Sequence, residues 1–266
     1  MSARVRLAIG VLGAMALIGA GTAGAFEIGE GRQVPATPSP RAPARPAVRH
    51  TSPTTRRRHR VGLGRSVRHR LIWAEEVGDL SSPVPLLVVG CIHGNEGAGI
   101  AIARDLLSDP PPRDEAVWVI PDLNPDGFAA GTRQNARGVD LNRNFPWRWR
   151  PLGRRGDLTY SGPRPLSEPE SRLAHQFILG RRPVISIWFH QHADLVDESG
   201  GRVAVERRYA RLTGLPLRRL PRYPGSAVGW ENHVLRHGTA FVVELPPGRL
   251  SPRAVERFSD AILKLT

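Results

Sequence analysis

Cysteine is almost absent from this 266-residue chain: Cys91 is the only one. No internal disulfide is then possible, and the folded part must be stabilised by its apolar core. Acidic residues are scarce in one region only. Residues 1–70 hold 2 glutamates against 13 arginines, whereas residues 71–266 hold 22 acids against 25 basic residues. The net charge of +14 therefore belongs mainly to the N-terminal part and is not spread over a nucleic-acid-binding face. No nucleic-acid partner is expected. An anionic cell-envelope polymer is the partner that such a basic segment would attract.

Charge is also missing from Leu7–Ala25, a run of Ala, Leu, Ile, Val and Gly that follows Arg4 and Arg6. It ends in Ala23-Gly24-Ala25, so residues 1–25 read as a secretory signal peptide. The alternative is an uncleaved membrane anchor, since Leu7–Phe26 is about the length of one membrane-spanning helix. Either reading places the rest of the chain in the cell envelope or outside the cell. Residues 26–60 carry Pro35, Pro38, Pro40, Pro43, Pro46 and Pro53 with Arg56, Arg57, Arg58 and Arg60. That composition predicts an extended, disordered tether, leaving residues 61–266 as the folded domain.

Within that domain, Leu86–Val89, Val117–Ile120, Val184–Phe189 and Ala240–Val243 are short apolar runs that read as buried strands. Helices are expected over Gly97–Leu107, from Ser167 to about Leu179, and over Ala254–Leu265. Ser167 and Glu170 are spaced as a capping box, with Pro169 in the first turn. Strands alternating with helices give an α/β fold.

The polar residues that interrupt this pattern stand at strand ends. His93 and Glu96 follow the first apolar run, and His190 ends the third. Residues just past the carboxyl ends of strands in an open α/β sheet line its ligand crevice. Two histidines and a glutamate form a donor set for a catalytic zinc, which keeps one position open for water. His192 is the alternative to His190. Glu244 follows the fourth run, and a carboxylate there costs several kcal/mol unless it is compensated. It is a candidate general base, the alternative being a salt bridge to an arginine. Asn142 and Arg143, within Gly138–Pro146, offer an amide and a planar fork of donors suited to a carboxylate. Asn124–Gly127 reads as a turn, and Arg133 lies between the two motifs.

Taken together, His93–Glu96, Asn124–Gly127, Thr132–Asn135, Gly138–Pro146, Ser161–Pro163, Ser167–Glu170, His190 and Glu244 resemble the zinc carboxypeptidase family in order and in kind. The resemblance spans residues 88–248. It implies a mixed eight-stranded sheet between helices, one zinc ion on His93, Glu96 and His190, and Glu244 as general base. It further implies Asn142 and Arg143 as the carboxylate anchor, Arg133 as the group polarising the scissile carbonyl, and Tyr223 as a substrate-capping side chain. Asn95 stands where digestive members have arginine. The sequence His-Gly-Asn-Glu is shared with murein peptide amidases, which cut the γ-D-glutamyl–diaminopimelate bond, and with a branch of N-acyl amino acid deacylases. The Asn-Pro-Asp-Gly turn and the Ser-Glu-Pro-Glu helix start favour the amidase branch. The expected substrate is thus a muropeptide or a peptide C-terminus.

Other readings are a deacylase, a non-catalytic envelope-binding protein, and a hydrolase using Cys91 as nucleophile. Side-chain specificity is expected to lie in loops over Trp147–Leu158 and Val196–Arg208, where Asp197 and Glu198 are candidates for substrate selection.

Overall fold

The computed structural model describes residues 59–78, 86–108 and 116–265. The expected signal peptide and nearly all of the tether lie outside the described residues. Among those described, no helix is long and apolar enough to cross a membrane.

A hairpin of β1 (His59–Arg65) and β2 (Leu71–Gly78) opens the domain. Then come β3 (Leu86–Val89), α1 (Gly99–Ser108), β4 (Ala116–Ile120), α2 (Pro125–Ala130) and α3 (Pro169–Arg181). The chain continues through β5 (Ile185–Gln191), β6 (Leu195–Asp197), α4 (Val203–Thr213), β7 (Leu217–Arg218), α5 (Ala227–Val234), β8 (Thr239–Leu245) and α6 (Pro252–Leu263). One eight-stranded sheet results, in the order β1-β2-β4-β3-β5-β8-β6-β7. Its centre, β4-β3-β5-β8, is parallel, while β2 and β6 join it antiparallel.

The apolar runs form the central strands because both of their faces are covered. On one face Val88, Val119, Ile187 and Val243 pack against Ile102 of α1, Tyr209 of α4 and Phe258 of α6. On the other, Leu87, Trp118 and Trp188 meet Ala174 and Ile178 of α3 and Trp230 of α5. Each such side chain contributes on the order of 1.5–3 kcal/mol by leaving water. This mixed sheet between two helical layers is the fold that the resemblance implied.

The topology also places the functional region. β3 has its sequence successor β4 on one side and β5 on the other. The strand order therefore reverses at β3, and a crevice opens where the connections leave the ends of β3 and β5 in opposite directions.

Three expectations need correction. Ser167 does not cap α3: Glu168 is the N-cap, without a side-chain bond, and Ser167 Oγ instead donates to Glu168 Oε1 at 2.8 Å. Glu170 turns away from the helix start and accepts from the Val67 amide at 3.0 Å and from Asn135 Nδ2 at 3.1 Å. Arg60, assigned to the tether, lies in β1, its Nη2 2.6 Å from Glu75 Oε2. Residues 196–208, read as a loop, hold most of β6 and the first half of α4.

Candidate active site

His93 lies four residues beyond β3, in a turn that leads to α1. The turn is held by Glu96 N donating to His93 O at 2.9 Å and by Gly94 N donating to Arg133 O at 3.3 Å. A side chain at Gly94 would put its Cβ 1.9 Å from the Gly127 carbonyl carbon, so only glycine lets the turn pack on α2. This is a packing requirement of the turn. Asn124 completes the arrangement. Its Oδ1 caps α2 by accepting from Gly127 N at 3.0 Å, and its Nδ2 donates to Ile92 O at 3.1 Å.

His190 is the penultimate residue of β5 and pairs in register with Glu244 of β8. The two strands thus deliver a histidine and a carboxylate side by side at the crevice. Gln191 ties the end of β5 to the segment before α1 and to the segment after β8: its Oε1 accepts from Ala98 N, and its Nε2 donates to Pro246 O and Gly248 O, each at 2.9 Å. Sequence reasoning passed over Gln191, because a lone amide at a strand end carries no signal of its own.

The Nδ1 atoms of His93 and His190 face each other at 3.0 Å, and both lie 2.9 Å from Glu96 Oε2. All three residues are buried. Three lone-pair donors converging in this way suit a zinc ion. His192 is exposed and lies outside the cluster.

The second ring nitrogen of His93, Nε2, is 3.0 Å from Oδ1 of the fully buried Asp140. Such a carboxylate fixes the imidazole's tautomer and orientation. Asp140 stood inside a quoted motif without being assigned a role, and the carboxylate–histidine pairing that gives it one is visible only in three dimensions. Arg133 bridges the same acids, its Nη1 donating to Glu96 Oε1 at 2.7 Å and its Nε to Asp140 Oδ2 at 3.1 Å. Its Nη2 has no partner among the described residues.

These contacts set the charges. Burial works to raise the pKa of Glu96, but hydrogen bonds from His190 and His93 hold it well below the usual carboxylate range. Burial opposes ionisation of Asp140 too, and His93, Arg133 and Arg143 overcome it. Burial would lower the pKa of His93, yet Asp140 and Glu96 raise it above the ordinary value. Protons and a metal ion therefore compete for the same nitrogen.

A cleft of about 330 Å³ opens beside this cluster and is lined by all eight residues to which the resemblance gave a role: His93, Glu96, Arg133, Asn142, Arg143, His190, Tyr223 and Glu244. Of the two acids named for substrate selection, Asp197 lines the cleft and Glu198 does not. Asn142 Oδ1 accepts from Ala227 N at 2.9 Å, and its Nδ2 lies 3.4 Å from His190 Nε2. Arg143 is buried, with Nη1 donating to Asn142 O at 2.8 Å and its Cζ 4.1 Å from the centre of the Tyr223 ring. Its Nε is a buried donor without a partner among the described residues. Glu244 is half-buried and makes no hydrogen bond or ion pair among the described residues. Cys91 is buried, its Sγ donates to His93 O at 3.2 Å, and burial pushes its pKa well up. It is no nucleophile.

An open α/β crevice with a buried two-histidine, one-glutamate cluster and an adjacent unpaired carboxylate defines a metal-dependent hydrolase. Residues 51–198 match the zinc carboxypeptidase family. The chain is 30% identical over 192 residues to murein peptide amidase A of Escherichia coli, a match covering 67% of this chain and 78% of that protein. Its fold resembles the murein-tripeptide amidase of Escherichia coli O157 with a TM-score of 0.60 at 28% identity, covering 77% of this chain and 90% of the other. The carboxypeptidase A of Helicoverpa armigera gives 0.65 at 18% identity, over 78% and 67%, a likeness of fold. The chain belongs to the zinc carboxypeptidase family, and is a zinc-dependent hydrolase of peptide-type amide bonds.

Proposed function

We propose that this enzyme cuts the amide bond on the amino side of a residue with a free carboxylate, in murein peptides, releasing diaminopimelate from a γ-D-glutamyl linkage. The observation that carries the reading is the orphaned Nε of Arg143. A buried guanidinium donor left unpaired costs about 1–3 kcal/mol, and a carboxylate entering the cleft would relieve it with a charge-assisted bond. The likeness to murein peptide amidases supports the choice of substrate, as does the signal-like segment at residues 1–25, which on this reading sends the enzyme to the cell envelope.

Each residue then has a task. Arg143 and Asn142 hold the carboxylate of the leaving residue and so fix which amide faces the cluster. Tyr223, half exposed over Arg143, covers that residue. His93, Glu96 and His190 hold a single zinc ion, which supplies a Lewis acid and lowers the pKa of water toward about 7. Arg133, with Nη2 unspent, stabilises negative charge on the scissile carbonyl oxygen. Glu244 accepts the proton of the attacking water and returns it to the departing amine.

The test is zinc-loaded protein incubated with L-Ala-γ-D-Glu-meso-diaminopimelate, products read by mass. A second substrate has the carboxylate next to the scissile amide converted to a carboxamide. Free diaminopimelate from the first, with at least about 100-fold slower release from the second, is expected. Equal rates, or turnover confined to ordinary peptides or N-acyl amino acids, would reject the proposal.

A further inference from the structure

The cleft is also lined by Val242, two residues before Glu244 in β8, and by Asp197, Ser199 and Arg222. Asp197 ends β6 and is buried, yet it is a charged residue beside an apolar strand. Its Oδ1 accepts from Leu220 N at 2.8 Å, and its Oδ2 accepts from Ser199 Oγ at 2.6 Å and from Arg222 Nη1 at 2.7 Å. Ser199 Oγ in turn accepts from Val242 N at 3.1 Å. Arg222 Nη2 donates to the Glu198 carbonyl.

The result is a fixed cation whose side chain remains 41% exposed while its carboxylate partner is 3% exposed. Burying a carboxylate carries a desolvation cost, and here its contacts fasten one arginine at the wall of the cleft. Arg222 Nε has no partner among the described residues. Each of the three arginines that line the cleft keeps a nitrogen without a partner among the described residues: Nη2 of Arg133, Nε of Arg143 and Nε of Arg222.

We infer that Arg222 forms a second carboxylate subsite, so that the enzyme selects a leaving residue whose side chain itself ends in a carboxylate. One carboxylate, beside the scissile amide, goes to Arg143; the other, at the end of the side chain, goes to Arg222. The inference rests on the proposed function for the first of these contacts. Asp197 is the positioning residue that aims Arg222.

Free meso-diaminopimelate and L-lysine make a clean pair of probes, because lysine has the same chain and both amines but lacks the second carboxylate. Titration calorimetry on zinc-loaded, full-length protein is expected to show diaminopimelate binding about tenfold tighter or more. In Arg222→Gln that ratio should fall to about threefold or less, chiefly through loss of diaminopimelate affinity. Asp197→Asn should lower the ratio in the same direction, and Arg222→Lys should restore part of it, since it keeps the charge without the fork. Equal affinity of the wild type for the two ligands, no binding of diaminopimelate, or equal weakening of both ligands in Arg222→Gln would each overturn the subsite. The two proposals fail separately. Muropeptide hydrolysis without discrimination between the ligands removes the subsite alone. Discrimination without muropeptide hydrolysis removes the proposed substrate and keeps the subsite.

Discussion

Glu96 and Glu231 are both buried carboxylates, and both lean on the same face of β5. Glu96 meets His190, with Nδ1 at 2.9 Å. Glu231, on α5, accepts from Trp188 Nε1 at 3.0 Å and from Ser186 Oγ. The outcomes are opposite. Glu96 is held ionised, whereas burial pushes the pKa of Glu231 up to about 7. Depth does not distinguish them; the neighbours do. Two histidines and an arginine surround one acid, and only neutral donors surround the other. The crevice end of β5 is thus built to carry charge, and its interior to exclude it. Glu244 is a third kind of acid, half-buried and without a partner among the described residues, beside the charged end.

The largest expected effect breaks the comparison at that third acid. Glu244→Gln keeps shape but cannot accept a proton, so kcat should fall by about 10²–10⁴ or more. Zinc content, read by elemental analysis, should stay at the wild-type level. Wild-type turnover in that variant would remove Glu244 from the chemistry, and loss of zinc would make it a ligand. Next comes the charged end itself. His190→Ala removes one of three converging donors and should lose zinc, while His192→Ala keeps it. The reverse result would exchange the two histidines.

How much of this was legible in the sequence follows from the same contrast. The central strands were readable because burial on both faces leaves unbroken apolar runs, as in Leu86–Val89. β1 and β2 were not, because an edge hairpin carries His59, Arg60, Glu75 and Glu76 within its strands. β6 and β7, three and two residues long, are too short to leave a pattern. The histidines and carboxylates of the cleft stood out as polar groups at the ends of apolar runs. Asp140, Gln191 and Arg222 did not, since their partners lie 47, 55 and 25 residues away in the chain. The failed capping box at Ser167 has the same origin: long-range partners, Asn135 and Val67, outcompeted the local bond for Glu170.

Asp140 gives a smaller and sharper test of the charged end. Asp140→Asn keeps a hydrogen-bond acceptor for His93 but removes the negative charge that raises its pKa and fixes its tautomer. Zinc affinity, measured by competition with a chelator, should weaken about 10–100-fold, and the variant should still bind zinc at saturating metal. In the wild type, affinity should also drop as the pH falls through the raised pKa of His93, because the proton occupies the nitrogen the metal needs. In Asp140→Asn that drop should move to lower pH. An unchanged pH dependence would show that Asp140 acts on packing alone.

The smallest effect lies at the neutral acid and leaves catalysis untouched. In the folded protein Glu231 titrates at about 7, against 4.5 for an ordinary glutamate. Below pH 4.5 the acid is protonated in both the folded and the unfolded chain, and its contribution to stability is fully present. As the pH rises, the unfolded chain loses this proton first, so stability is lost up to about pH 7 and levels off above it. The loss amounts to about 3 kcal/mol. Glu231→Gln is neutral at every pH, can accept from Trp188 and can donate to Ser186. Urea unfolding at pH 4.5, 6 and 7.5 should therefore show a variant close to the wild type in acid and more stable above neutrality. Glu206, also raised to about 7 by burial, leaves a slope of the same sign in both proteins, and the difference between them cancels it. If that difference stays flat with pH, Glu231 is ionised in the fold, and the contrast between the two ends of β5 is lost.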